Sequence, residues 1–233
     1  MSGCGRHVIA VPRLRGMAAV LALCVVMPVQ AQSSSEKKES TGKKPAAKVT
    51  KPVSKPAAKS DGAENAVISG ESINTALVTR LVFQKTNQER VKAGMQPFQH
   101  LDTLEASATG HSTDMAQRNY FSHNSKGLLF HKSVSERTAA AGVGTRRVAE
   151  NIAMLPTFRQ MQVFRRTDTG ASRVTMDTNT YDQLATWAME QWMKSPGHRQ
   201  NILNPELRYL GVGTALGNRD GVPYVYLTQN FAG

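Results

Sequence analysis

An α/β fold, with helices on both faces of a small and mainly antiparallel sheet, is what three features of this 233-residue chain predict. Apolar residues recur at helical spacing in 73–94, 102–118 and 181–194. Strand-like runs mark 147–154, 210–216 and 224–231. The last two runs are joined by a turn sequence, Asn218 to Gly221, that reads as a hairpin. The length suits one well-buried domain with appendages better than two domains.

The N-terminus, residues 1–31, reads as an export signal. Arg13 and Arg15 form its basic region, Met17 to Val29 its apolar core, and Val29-Gln30-Ala31 a small-residue cleavage site. The apolar run is shorter than the ~20 residues a membrane span needs. Both cysteines, Cys4 and Cys24, lie inside this segment. A processed chain therefore has no disulfide, thiol nucleophile or cysteine-ligated metal. Leu23 is bulky where a lipoprotein peptidase wants a small side chain, which argues against lipidation at Cys24.

Residues 32–65 are built from Lys, Pro, Ala and Ser, with Val49 and Val53 the only large apolar residues. So little apolar surface cannot offset chain entropy, and a disordered linker is expected. Its Lys-Pro steps favour extended polyproline-II geometry, with a reach on the order of 100 Å. The net charge of +12 falls partly here, where eight lysines face four acids. Residues 66–233 hold eighteen basic and thirteen acidic residues, so the domain is only mildly basic. Such a linker suits an anionic envelope polymer or membrane surface as partner, or serves as a solvated spacer. The export signal argues against nucleic acid.

The folded domain spans 66–233. Leu77, Leu81, Val82 and Val91 give a first helix that ends near Gly94 and Pro97. Asp102 is the expected N-cap of a second helix, with Leu104, Ala108 and Met115 inward, running to about Arg118. His131 to Ala141 suggests a short third helix closed by Gly142. After the strand at 147–154, Phe158 to Met176 reads as two strands around Thr167-Asp168-Thr169-Gly170. This is an inserted hairpin at about 156–178, made basic by Arg159, Arg165, Arg166 and Arg173, and either functional or merely solvated. Tyr181 to Lys194 is an amphipathic helix with Trp192 as its core anchor, stopped by Pro196-Gly197.

Three stretches carry groups that can move a proton or hold a metal. They are Tyr120-Phe121-Ser122-His123, Glu150-Asn151-Ile152-Ala153, and Ser195-Pro196-Gly197-His198 continuing through Asn201-Ile202-Leu203. His123, Glu150 and His198 are too distant in sequence to form a local motif; only the fold can bring them together. These stretches come in order with Asn87-Gln88-Glu89-Arg90, Leu101 to Leu104, Asp114-Met115-Ala116, Leu210 to Gly213 and Thr228 to Phe231. In that pattern the chain from about Ile73 to Gly233 resembles the CAP superfamily (cysteine-rich secretory protein, antigen 5, pathogenesis-related 1; SCP-like) in its bacterial, cysteine-free form.

The resemblance implies an α-β-α sandwich, export to the periplasm, cell wall or medium, and a cleft with two His and two acids. His123, Glu150 and His198 match three of those four positions. The fourth, a Glu one helical turn after a Trp, is Ser195 here, counted from Trp192. Glu190 lies on another face of the helix. A capacity for metal binding is implied, but no agreed reaction.

Two imidazoles and a carboxylate suit Zn²⁺ or another divalent cation and leave positions for water or substrate. Such an ion could activate water for hydrolysis. Without metal, Glu150 could orient one imidazole as a general-base pair, or the network could simply tie loops to the sheet. The first expectation is a binding or interaction module of the cell envelope, taking a divalent ion or a lipid-like or peptide ligand. The alternative is a metal-dependent hydrolase, a protease or cell-wall enzyme, with His123, Glu150 and His198 catalytic. Neither Ser122 nor Ser195 has the Gly-x-Ser-x-Gly elbow of a serine hydrolase. His111 is expected to be packed or exposed in mid-helix, and His131 is a distant spare ligand. Asn151 is expected to bond backbone, and the face taken by Gln229 is open.

Overall fold

The computed structural model describes residues 6–9, 62–69, 72–127, 132–144, 147–165 and 172–233. In chain order these form β1 (Arg6–Ile9), α1 (Thr75–Lys92), β2 (Gln99–His100), α2 (Asp102–Gln117) and α3 (Val134–Ala140). There follow β3 (Val148–Pro156), β4 (Phe158–Arg165), β5 (Ser172–Thr178), α4 (Tyr181–Lys194), α5 (Pro196–Ile202), β6 (Tyr209–Arg219) and β7 (Val222–Ala232). Apart from Arg6–Ile9, which pair with β5, the expected signal segment lies outside the described residues. So do the expected linker up to residue 61, His131 and the expected turn at Thr167–Gly170. Among the described residues no helix is long and apolar enough to cross a membrane.

The central sheet has the order β2-β6-β7-β3, with β2 parallel to β6 and the other pairs antiparallel. A separate sheet, β1-β5-β4, contains the inserted hairpin. The β6–β7 connection is a two-residue turn in which Asp220 (φ 54°) and Gly221 (φ 80°) are both left-handed. Asp-Gly suits that geometry because its twist matches the flanking strands.

Caps fix the helix starts. The Asn74 side chain accepts from the Leu77 N–H at 3.0 Å, and capping boxes join Ser133 to Glu136 and Thr180 to Gln183. Two expected boundaries are corrected. The N-cap of α2 is Leu101, and Asp102 occupies the first turn, where its carboxylate faces the positive end of the helix. Pro196-Gly197 does more than stop α4: it opens α5. A first helical turn tolerates proline because its missing N–H has no partner to lose there. The two-residue β2 and the short α5 carry too little apolar periodicity to stand out in the sequence.

The layers follow from side-chain size. Leu77, Val78, Leu81 and Val82 of α1 and Leu184, Ala188 and Trp192 of α4 pack in one core cluster with Val212, Leu227 and Phe231 of the sheet. The opposite face receives α2, seated on glycines. A Cβ added to Gly211 would lie 2.1 Å from the Glu105 backbone nitrogen, and one on Gly213 would lie 2.2 Å from the Ala108 carbonyl carbon. Met115, Ala116 and Tyr120 meet Ile152, Ala215 and Tyr226 in a smaller cluster.

Two tethers place the end of α4 and α5 beside the edge strand β3. The Trp192 Nε1–H donates to the Ile152 carbonyl at 3.1 Å, and Asn201 Nδ2 donates to the Glu150 carbonyl at 3.4 Å. These bonds occupy edge carbonyls that would otherwise template another strand. Buried Arg90 holds the far end of α5: it donates to the carbonyls of Ile202 (2.8 Å) and Asn204 (3.0 Å) while lying 3.9 Å over the Phe98 ring.

Candidate functional site

His123 sits on the loop that follows α2, and Asp114 shapes that loop. One carboxylate oxygen of Asp114 accepts from the Tyr120 hydroxyl, from the Ser125 hydroxyl at 2.8 Å, and from the N–H groups of Lys126 and Gly127 at 3.2 Å. The other accepts from Arg118 Nε at 2.9 Å. Burial pushes the Asp114 carboxyl up, but the hydrogen bonds from Tyr120, Ser125, Gly127 and Arg118 outweigh it and hold it at about 2. The loop is therefore wrapped around an anion.

Alternation along β3 turns Glu150 and Asn151 to opposite faces. Glu150, 3 % exposed, points to the α2 and α3 side, where each oxygen is engaged. Oε1 accepts from His123 Nδ1 at 2.9 Å. Oε2 accepts from Arg137 Nη2 at 2.5 Å. With the Asn230 amide oriented so that its oxygen accepts from the Ala108 N–H, its nitrogen also donates to Oε2 at 3.0 Å. Arg137 donates besides to the His123 carbonyl at 2.9 Å and to the Lys132 carbonyl, coupling α3 to the loop. Burial pushes the Glu150 carboxyl up, but the His123 hydrogen bond and the positive charge of Arg137 prevail, and its pKa is lowered. Glu150 is a buried, ionised carboxylate.

His111 stands behind this pair. Its Nε2 lies 3.0 Å from the Ser122 carbonyl and 3.8 Å from Glu150 Oε1, and its buried Nδ1 has no partner among the described residues. Burial lowers its pKa, so it is a neutral donor to Ser122.

His198 comes from α5. It is 4 % exposed, and its buried Nδ1 has no partner among the described residues. Burial, and then the nearby charge of His123, push its pKa down to about 4. Its backbone is anchored from the other sheet face: the His198 carbonyl accepts from Asn151 Nδ2 at 3.2 Å. Asn151 also donates to Gln229 Oε1 at 3.0 Å and accepts from Asn201 at 2.9 Å, while Gln229 donates to the Thr86 hydroxyl at 2.7 Å. Gln229 thus faces α1, away from Glu150.

The fold brings His123 and Glu150 into contact, with His198 close enough to feel the His123 charge. Ser195 is buried at the α4–α5 junction and makes no side-chain cap bond. Among the described residues no three His, Cys, Asp or Glu side chains are grouped so as to hold an ion between them. Sequence reasoning passed over Arg137 and Asn230, and gave His111 no role beyond being packed or exposed. For His111 a signal existed: it is four residues before Met115 and three after Ala108, so it shares the inward stripe of α2. Arg137 offered no such signal.

The family description "Cysteine-rich secretory protein family" (CAP) matches residues 83–231. The chain is 31 % identical over 178 residues to the Bacillus subtilis (strain 168) protein YkwD, covering 73 % of this chain and 57 % of YkwD. It is 32 % identical over 150 residues to the membrane protein YlbC of the same organism, covering 64 % of this chain and 33 % of YlbC. The chain thus spans 57 % or less of the length of these curated relatives. Among solved structures it is similar to an extracellular protein containing a SCP domain from Bacillus anthracis str. Ames. There the identity is 25 %, the coverage 68 % of this chain and 41 % of the other, and the TM-score 0.45. An outer surface protein from Borrelia burgdorferi aligns at 14 % identity over 69 % of this chain and 97 % of the other, with a TM-score of 0.46.

Proposed function

The chain belongs to the cysteine-rich secretory protein (CAP) family, and on that premise we propose that it is an exported binding module of the cell envelope whose His123 and His198 hold a divalent cation such as Zn²⁺. The observation that carries this reading is the 2.9 Å contact between His123 Nδ1 and the buried Glu150 carboxylate. A carboxylate on one ring nitrogen fixes the tautomer and leaves the other nitrogen with its lone pair outward, the arrangement used around metal-ligating histidines. His198, with its pKa near 4, is neutral at physiological pH, as a ligand must be.

In this reading Glu150 orients and does not ligate. Both its oxygens are engaged, one by a buried Arg. That leaves two protein ligands and several open positions. A cation held there supplies Lewis acidity, or an anchor for an anionic group of a peptide or lipid-like ligand. Ser195 in place of an acid removes a negative charge from the neighbourhood and weakens the pull on a cation. Export is supported by the signal-like residues 1–31, and attachment to an anionic envelope polymer or membrane surface by the lysine-rich linker.

One observation favours a second reading, a hydrolase. A buried carboxylate bonded to a half-exposed imidazole is also the geometry of a general base.

Calorimetric titration of the full chain with Zn²⁺, repeated on His123→Ala and His198→Ala, tests the first reading. One site in the native chain, lost in both variants, is expected. Absence of binding in the native chain, with the variants only less stable, would make the cluster structural. Turnover on peptide or cell-wall substrates that His198→Ala abolishes without unfolding would favour the hydrolase.

A further inference from the structure

A recess of about 190 Å³ lies between α1, the single turn Ala63–Asn65 and the start of α4. Its polar lining is Glu64, Arg80, Gln84, Lys85, Gln88 and Asp182. It is on the sheet face opposite α2 and shares no residue with the His123–Glu150 site. At ~30 Å³ per liquid water the space holds about six waters, the size of an amino acid or very short peptide.

The charges lining it are not all spoken for. Lys85 and Asp182 pair at 2.6 Å and neutralise one wall. Arg80 and Glu64 have no ion-pair partner among the described residues, and the Gln84 and Gln88 side-chain amides make no hydrogen bond there. Arg80, Glu64 and Gln84 are nevertheless half-buried. The segment carrying Glu64 is also fixed in place. The Ile68 N–H donates to the Asn179 carbonyl at 2.9 Å, the Tyr181 N–H donates to the Ala66 carbonyl at 3.2 Å, and Val67 bridges Thr180. The recess thus offers one uncommitted cation, one uncommitted carboxylate and two free amides on a set framework.

We infer that this recess binds a small zwitterion carrying an ammonium and a carboxylate, of amino-acid or dipeptide size. Arg80 takes the carboxylate, for which its planar fork of donors is suited. Glu64 takes the ammonium, and the glutamine amides pair with an intervening peptide group. A simple anion would meet Glu64 and Asp182, and a simple cation would meet Arg80 and Lys85. A ligand with both charges pairs with the two groups together.

The probe is alanyl-alanine, titrated into the full chain beside its N-acetyl form and its C-terminal amide. The free dipeptide should bind with a Kd of about 1 mM, and each blocked form should bind at least about tenfold more weakly. Arg80→Gln should erase the difference between dipeptide and amide, and Glu64→Gln that between dipeptide and N-acetyl form. Both positions lie on the surface layer, so melting temperature and Zn²⁺ titration should match the native chain. No binding of the dipeptide up to ~20 mM overturns the inference. So does equal binding of a blocked form, or dipeptide binding that neither substitution alters.

Discussion

Arg137 Nη2 and Glu150 Oε2 meet at 2.5 Å with both side chains only 2 % exposed. A pair so buried is costly to break from one side, because the survivor is left as an uncompensated charge. Arg137→Met should therefore destabilise the domain by about 3–5 kcal/mol. Arg137→Met combined with Glu150→Gln should recover part of that loss, since the remaining polar group is neutral. Chemical denaturation of the native chain, the two single variants and the double variant checks this. Additive losses would mean that the two side chains do not share their energy.

The histidine of α5 sets a pH dependence of opposite origin to the usual histidine case. The His198 pKa falls from 6.5 unfolded to about 4 folded, so between these values the unfolded chain holds more protons. Stability from His198 is full above pH ~6.5 and is lost progressively as pH falls towards ~4, by on the order of 3 kcal/mol. Lowered His111 adds in the same direction. The carboxylates act at lower pH: Asp114, held at about 2, contributes stability that disappears only between its unfolded value of 3.8 and that point. Urea midpoints from pH 7 to 4, measured with chelator, should fall for the native chain and fall less for His198→Gln. An unchanged slope in the variant would assign the pH effect elsewhere.

Much of this arrangement was legible in the sequence because long elements write their period plainly. Leu104, Ala108 and Met115 marked the inward face of α2, and Trp192 that of α4. His123 and Glu150 could be named because each sits in a recognisable stretch, and the fold then joined them. Arg137 could not be named. It lies on a seven-residue helix where one long cation among small residues looks like a solvated face, and only tertiary packing shows that it is buried against Glu150. α5 was hidden for a related reason: Pro-Gly reads as a stop signal, and the same proline serves equally well as a first helical residue.

The glycines of β6 carry a stability prediction. Gly213→Ala would put a methyl group 2.2 Å from the backbone of Ala108 and Thr109, atoms that cannot move unless α2 moves. Overpacking of this kind costs about 1–3 kcal/mol, and a rigid helix backbone puts this site at the upper end. Gly221→Ala removes an unrestrained turn glycine of positive φ with nothing within 4 Å, so its cost is backbone strain alone, about 1–2 kcal/mol. Thermal melting should rank Gly213→Ala below Gly221→Ala. The reverse order would show that α2 lifts from the sheet with little penalty.

Asp114 tests whether the His123 loop must be preorganised for the proposed cation site. Asp114→Asn keeps the shape but removes the charge that gathers Tyr120, Ser125, Lys126, Gly127 and Arg118. It touches neither His123 nor His198, so it acts on binding through loop position and through the field of the lost charge. Groups hydrogen-bonded directly to a metal-ligating histidine are typically worth about 10–100-fold in metal affinity, and a residue one step further out falls at the lower end. Zn²⁺ affinity should fall by about tenfold although both histidines are still present. Heteronuclear NMR on the same variant should show new exchange broadening confined to 120–127 and the facing turn of α3. An affinity unchanged within error, alongside a broadened loop, would mean that Glu150 and Arg137 alone suffice to hold His123.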